Sequence, residues 1–213
     1  MKMTATKTEL AYQAIKKKIL EGDLPPLRDV SEESLQGELG LSRTPIREAC
    51  QRLSKEGFIY IFPSKGMIVA EITSDLIREI YQMRLLNEPF IASQAARNPP
   101  QWLNEIRERL LHPPAGLNDG ATRLYFINLD RELHDKLLSA SKNRFLQASM
   151  AIVLDHNHRI RLKVSQPYEQ HERSIQEHLD IIDAILKRDE MLSEDRIRAH
   201  IQHSRKMTVD FFS

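Results

Sequence analysis

One short stretch limits the fold more than any other. In FIYIFPSKGMIVAEI, residues 58–72, β-branched and aromatic residues lie on both sides of Pro63-Ser64-Lys65-Gly66, the signature of a β-hairpin. From Thr73 onward no comparable run occurs, and apolar residues recur at helical spacing. The chain is therefore read as mainly α, with one small β element placed a third of the way along it.

The residues before the hairpin supply its context. TKTELAYQAIKKKILE, residues 6–21, puts Leu10, Ile15, Ile19 and Leu20 near one face with Lys16 to Lys18 mostly off it, and Gly22 ends the helix. DLPPLRDV reads as a connector. SEESLQGELG is a short helix with Ser31 as cap, Leu35 and Leu39 at i,i+4, and Gly40 as stop. LSRTPIREACQRL then opens a helix over Thr44 to Lys55 whose buried stripe is Ile46, Ala49, Cys50 and Leu53. Helix, helix, turn, helix, hairpin is the order of a winged helix-turn-helix, in which the second helix of the turn pair enters the major groove of DNA.

Downstream, helical segments are expected near 74–97, 100–110, 120–139, 143–164, 168–187 and 194–211. They make an all-α bundle of about six helices. Pro89, inside the first of them, should kink or split it. The period changes from two to 3.6 near Ile72 to Ser74, which sets the expected domains at 1–73 and 74–213.

Charge does not announce a partner. With 31 Lys+Arg against 30 Asp+Glu the formal net charge is +1, so any nucleic-acid footprint has to be local. A single cysteine, Cys50, rules out an intrachain disulfide framework. MKMTATKTEL contains no apolar leader core and no apolar run reaches membrane length. A cytoplasmic protein without a membrane partner is expected.

The local footprint lies at LSRTPIREA. Pro45 suits the first turn of a helix, where its missing N–H costs nothing, and Ser42 is placed to cap it. Arg43, Thr44 and Arg47 then project from a turn that also offers backbone N–H groups and the positive end of the helix dipole. That combination suits phosphates and guanine edges. The plainer alternative pairs Arg43 and Arg47 with Glu38, Glu48 or the acidic residues at 29–33. Arg28 and Arg52 are read equally as weaker DNA contacts or as a solvated face. A lone winged helix binds weakly, so a homodimer on a pseudo-palindromic double-stranded operator is expected.

All 8 histidines lie at or beyond His112. Asp130 and His134 are i,i+4 on one helix, and His178 and His200 lie on two later ones. Three helices of a bundle can bring these groups together, and one carboxylate with three imidazoles suits a divalent transition ion. The plainer alternative leaves each histidine at the surface or hydrogen-bonded in the core. His171 and His203 read as surface residues or as neighbours of the ligands. His156 and His158, at i,i+2, cannot share one helix face, and His112 falls in a turn. Neither Glu132 nor Glu177 makes a convincing general base, because helix geometry turns each away from its ligand neighbour. No phosphate loop or nucleophile elbow is found.

The run from Pro26 to Val69 resembles the DNA-binding domain of the GntR transcription regulators. The matching residues are Glu32, Leu35, Leu39 to Ala49 (LGLSRTPIREA), Arg52-Leu53, Glu56-Gly57, and the wing Pro63 to Gly66 with Val69. The remainder resembles the FadR-type C-terminal ligand domain (FCD) of that family, in its six-helix, VanR-like branch. The resemblance implies that Ser42 and Thr44 bind phosphate, that Arg43 and Arg47 touch bases or phosphates, and that Lys65 and Gly66 form a wing tip near the minor groove. It implies a metal site at Asp130, His134, His178 and His200, holding zinc or nickel. It also implies that Arg84 faces an effector pocket, with Arg159 or Arg161 as further candidates, and that residues 74–213 serve effector binding and dimerisation. Two departures stand out. Leu27 occupies a position where relatives have glycine, and Glu33 occupies one where some relatives have a base-contacting arginine.

Together these readings describe a DNA-binding regulator, a repressor, that responds to a small carboxylate and is not an enzyme. The rival classes are a metal-dependent enzyme and a purely structural metal site without an effector. For Arg84 the plainer alternative is an i,i+4 pair with Glu88.

Overall fold

A computed structural model of the chain describes residues 5–63, 65–164 and 168–212, leaving aside the side chains of 168–171. Ser64 of the hairpin turn, the Gln166-Pro167 step and the side chain of His171 lie outside the described residues. The chain divides into two compact units, Met1–Thr73 and Ser74–Ser213. The whole is mainly helical with one small sheet.

The first unit runs α1 (Lys7–Glu21), β1 (Asp29–Val30), α2 (Glu32–Leu39), α3 (Arg43–Lys55), β2 (Ile59–Phe62) and β3 (Gly66–Val69). Thr6 caps α1 by accepting from the Glu9 N–H, and Ser31 caps α2 by accepting from that of Ser34. Gly40 ends α2 at φ 63°, a left-handed turn that lets α3 start three residues later. The expected stripe of α3 is buried as read, with Pro45 added to it. Of the four residues expected on the buried face of α1, Ile15, Ile19 and Leu20 are buried and Leu10 is not. Leu10 is 53% exposed, while Ala11, Tyr12, Ile15 and Ile19 are buried. Lys16, read as outward, is buried. Its ammonium lies 3.1 Å from Glu56 Oε2 and donates to the Tyr12 hydroxyl at 2.7 Å. A cation at that depth is tolerated because the carboxylate beyond α3 reaches it.

The hairpin forms as the spacing predicts, with Ile59 opposite Val69 and Phe62 opposite Gly66. The DLPPLRDV connector does more than connect. Asp29 and Val30 form a third strand on β3, so the sheet order is β1-β3-β2. Leu27 enters this strand at φ 65°, the conformation its glycine-bearing relatives would adopt freely. Its N–H donates to the Val69 carbonyl at 2.9 Å, and the Val69 N–H donates to the Arg28 carbonyl at 2.9 Å, so the sheet holds the turn in place. A side chain in that region costs about 1–2 kcal/mol. The Leu27 side chain, exposed, recovers little of this. Leu27→Gly is therefore expected to be neutral or to stabilise by up to about 1 kcal/mol, after the extra chain entropy of glycine. A loss above about 1 kcal/mol on chemical denaturation would show the leucine side chain to be needed.

The second unit holds α4 (Ser74–Arg97), α5 (Trp102–Leu111), α6 (Asp119–Ala140), α7 (Arg144–Lys163), α8 (Tyr168–Leu186) and α9 (Glu190–Phe212). Two expectations are corrected. Pro89 does not split α4, which is continuous through it. The Leu85 carbonyl, deprived of its usual donor by the proline, accepts instead from Arg198 Nη1 at 3.4 Å. The final helix also starts earlier than 194. Asp189 Oδ1 accepts from the Leu192 N–H, and the fully buried Ser193 turns its hydroxyl onto the Asp189 carbonyl at 2.6 Å. Long α4 and α9 pack along each other, with the Tyr81 hydroxyl hydrogen-bonded to Ser204 and Thr208. Around that pair the core is aliphatic, built from Ile77, Leu129, Leu133, Ile181, Ile182, Ile185 and Ile201.

Candidate functional site

In the first unit, Ser42 stands at the N-cap position of α3, with φ −70° and ψ 167°, but its side chain makes no cap hydrogen bond. Thr44 is exposed beside it, and Lys65 and Gly66 are exposed on the hairpin. Arg43 and Arg47 follow the plainer alternative in part. Both pair with Glu32 at the start of α2: Arg43 Nε at 2.6 Å, Arg47 Nε at 3.0 Å and Arg47 Nη2 at 3.2 Å. Their side chains remain 67% and 52% exposed. Glu38 pairs with Lys18 and Glu48 accepts from Thr8, so neither takes up the arginines. Arg52 belongs to the packing of the unit. Its guanidinium lies 3.6 Å from the centre of the Tyr12 ring and bonds Glu9 and Glu56.

In the second unit, α6, α8 and α9 bring Asp130, His134, His178 and His200 to one point. Their ligand atoms all lie within 4.8 Å of one another, and all four residues are buried, between 2% and 6% exposed. Asp130 Oδ1 is 2.9 Å from His178 Nε2, 3.8 Å from His200 Nε2 and 3.9 Å from His134 Nε2. Two of the outward ring nitrogens have a carboxylate behind them: Glu177 Oε2 bonds His200 Nδ1 at 3.1 Å, and Glu88 Oε2 stands 2.6 Å from His134 Nδ1. A carboxylate on Nδ1 keeps the proton there and turns the Nε2 lone pair inward. His200 Nε2 is buried without a hydrogen-bond partner among the described residues. Such an orphan costs about 1–3 kcal/mol, which a bound cation would relieve. The donor set and its geometry fit a divalent transition ion.

Comparison with known proteins sorts these two units. Residues 7–69 match the bacterial regulatory proteins of the gntR family, and residues 79–203 match the FCD domain. The chain is a GntR-family regulator with an FCD domain. Over 193 residues it is 25% identical to the uncharacterized HTH-type transcriptional regulator YdhC of Bacillus subtilis, covering 90% of this chain and 86% of that one. It is 26% identical over 195 residues to the gluconate operon transcriptional repressor of the same organism, covering 88% and 79%. In fold it resembles McbR/YncC of E. coli at a TM-score of 0.82 and 20% identity, covering 99% of this chain and 100% of that one. This GntR-family chain is thus a DNA-binding regulator by kinship, and the relatives it matches carry the names of transcriptional regulators. No described helix is long and apolar enough to cross a membrane.

The charge pattern of the FCD domain fits the same picture. Burial pushes the Asp130 carboxyl up, but the His178 contact and the neighbouring cations outweigh it and hold Asp130 well below the usual carboxylate range. Burial and His178 push His200 down to about 3, against the pull of Glu177. For Asp130 and His200 taken singly, ionised and neutral respectively, this is the protonation state that metal ligation needs.

Sequence reasoning missed the carboxylates behind the histidines. Glu177, set aside because it points away from His178, reaches across to α9, where it meets His200 and, at 2.8 Å, His203. The pair of Arg84 with Glu88, given as the plainer alternative, forms, and both residues are buried. Arg84 Nε bonds Glu88 at 2.5 Å, Nη1 bonds Asn157 at 2.9 Å, and Nη2 lies 3.3 Å from His134 Nε2. The signal was the i,i+4 spacing of Arg84 and Glu88 on one helix. Glu132 is drawn away from the cluster by Arg109 and Lys136.

His156 and His158 are buried on α7 outside the quartet. Burial and Arg131 push the His158 imidazole down from 6.5 to about 4. A folded state that holds a histidine neutral keeps its full stability above pH 6.5 and loses it as the pH falls toward about 4. His158→Gln is expected to remove up to about 3 kcal/mol of that acid loss. The check is denaturant unfolding across this window, and equal acid slopes for variant and parent would refute it.

Proposed function

We propose that the chain is a metal-containing transcriptional repressor released by a small organic acid. Ser42, Arg43, Thr44, Arg47, Lys65 and Gly66 form the DNA-reading end, and two copies read a pseudo-palindromic operator. Asp130, His134, His178 and His200 hold the ion, zinc or nickel. With Arg84 beside His134 and Arg161 nearby, the site attracts a carboxylate. Acting on the chromosome, such a protein works in the cytoplasm. The six helices α4 to α9 support the VanR-like branch, and residues 1–73 and 74–213 take the two roles.

The buried quartet carries this reading, with the cleft beside it. Arg161, Glu177, His200, His203 and Ser204 line a crevice of only about 10 Å³ beside a ligand histidine, room for about one water, so an organic acid enters it only when the bundle opens. Arg161 Nε is buried there without a hydrogen-bond partner among the described residues. A buried guanidinium with an unused N–H favours an anion. The gluconate operon repressor, by its name, controls genes for a sugar acid, which supports the same ligand class. When bound, the ion offers a carboxylate an inner-sphere partner. The chain's own residues orient that carboxylate and exclude water. A ligand that binds one arrangement of the bundle better than another shifts the population, and DNA affinity changes by that difference alone.

The test is a thermal-shift screen of small organic acids, with and without a chelator, followed by DNA release measured with each hit. Hits that disappear on chelation and release DNA support the sensor. A retained ion with no hit points to the structural reading, and turnover of a hit would restore the enzyme.

A further inference from the structure

We propose that Glu32 is the specificity-setting residue of the DNA-reading end. The inference rests on the proposed DNA-binding role of that end. Glu32 opens α2, and its side chain is only 19% exposed although it makes contacts at a surface helix end. One carboxylate accepts three hydrogen bonds from two guanidiniums that lie one turn apart on α3. Contact with Arg47 and Arg43 holds the Glu32 carboxyl below its ordinary range, so it stays charged.

Two consequences follow from this geometry. The first is positional. Arg43 and Arg47 side by side would repel each other and sample many rotamers, whereas a shared anion fixes both at once. Arg43 donates to Glu32 through Nε, which leaves its terminal nitrogens to make the paired contact with guanine O6 and N7. The second is electrostatic. A carboxylate about 3 Å from both cations cancels part of the attraction that any phosphate backbone would feel. A neutral guanine edge is penalised less than a phosphate. The carboxylate therefore lowers sequence-independent binding more than specific binding, which is how a repulsive element sharpens a choice.

The experiment selects duplexes from a random-sequence pool with the full-length wild-type protein. It then measures Glu32→Ala and Glu32→Gln on the selected duplex and on a scrambled one, over a range of salt. Melting curves establish that the variants fold. Glu32→Ala is expected to bind the scrambled duplex roughly threefold to tenfold more tightly, with a salt slope steeper by about one. Its preference for the selected duplex should fall at least about tenfold, and the loss should centre on guanine positions. Glu32→Gln keeps the shape and an acceptor oxygen but not the charge, and it should show the rise in scrambled binding with a smaller loss of preference. An unchanged ratio, or an equal fall on both duplexes, overturns the role of Glu32 while leaving DNA binding intact. Failure of the wild type to enrich any sequence overturns the DNA-binding reading itself, and the inference with it.

Discussion

Glu88→Ala is expected to remove about 3–5 kcal/mol of stability, the largest effect of any single substitution considered for this protein. Glu88 and Arg84 are 3% and 1% exposed. Burial raises the Glu88 carboxyl, yet Arg84 and His134 bring it down to about 2, so the pair is fully ionised inside the bundle. Truncating the acid leaves the guanidinium with only Asn157 and the His134 ring as partners, neither of which carries the negative charge that balances it. The double replacement Arg84→Met with Glu88→Leu removes both charges and should recover most of the loss. Chemical denaturation of both variants beside the wild type decides the matter. A loss under about 1 kcal/mol for Glu88→Ala would mean that water already reaches the pair. The same substitution also frees His134 Nδ1, so metal affinity should fall about 10–100-fold.

The second large effect is the response to metal. Zinc or nickel at about a thousandfold over its dissociation constant is expected to stabilise the protein by about 4 kcal/mol. For a chain of this size that moves the melting temperature by on the order of 10 °C. His200→Ala removes one of four donors and should reduce the shift to a small fraction of this value. Glu177→Gln leaves the donors in place but loosens the hold on His200 Nδ1, and should need 10–100 times more metal, roughly, for the same shift. Melting curves with a chelator, then with added metal, separate the cases. An equal shift in wild type and His200→Ala would place the ion elsewhere, and no shift in the wild type would remove the metal from the account.

Local chemistry makes much of this protein legible in its sequence. The cap at Ser31, stops at Gly22 and Gly40, and the β-rich flanks of the hairpin are interactions between near neighbours. The pair Asp130 and His134 follows from helical spacing alone. What failed depended on partners remote in sequence. Lys16 is buried because Glu56, forty positions on, is there to receive it. Pro89 leaves α4 whole because Arg198 supplies a donor from α9. Asp29 and Val30 become a strand because Ile68 and Met67 lie opposite. None of these partners is visible from the segment itself.

Residue type and spacing by themselves determined the order of the helices and the hairpin, the identity of the helix that carries SRTPIREA, and the four donors able to hold a cation. Those features depend on short-range hydrogen bonds and on periodicity, which a linear chain encodes directly. Tertiary structure decided which charges meet: Glu32 between two arginines, Glu88 between an arginine and a histidine, and Glu177 between two histidines. The attraction between ionised side chains depends on their distance and on how much water is excluded around them, and both are set only once the helices have packed.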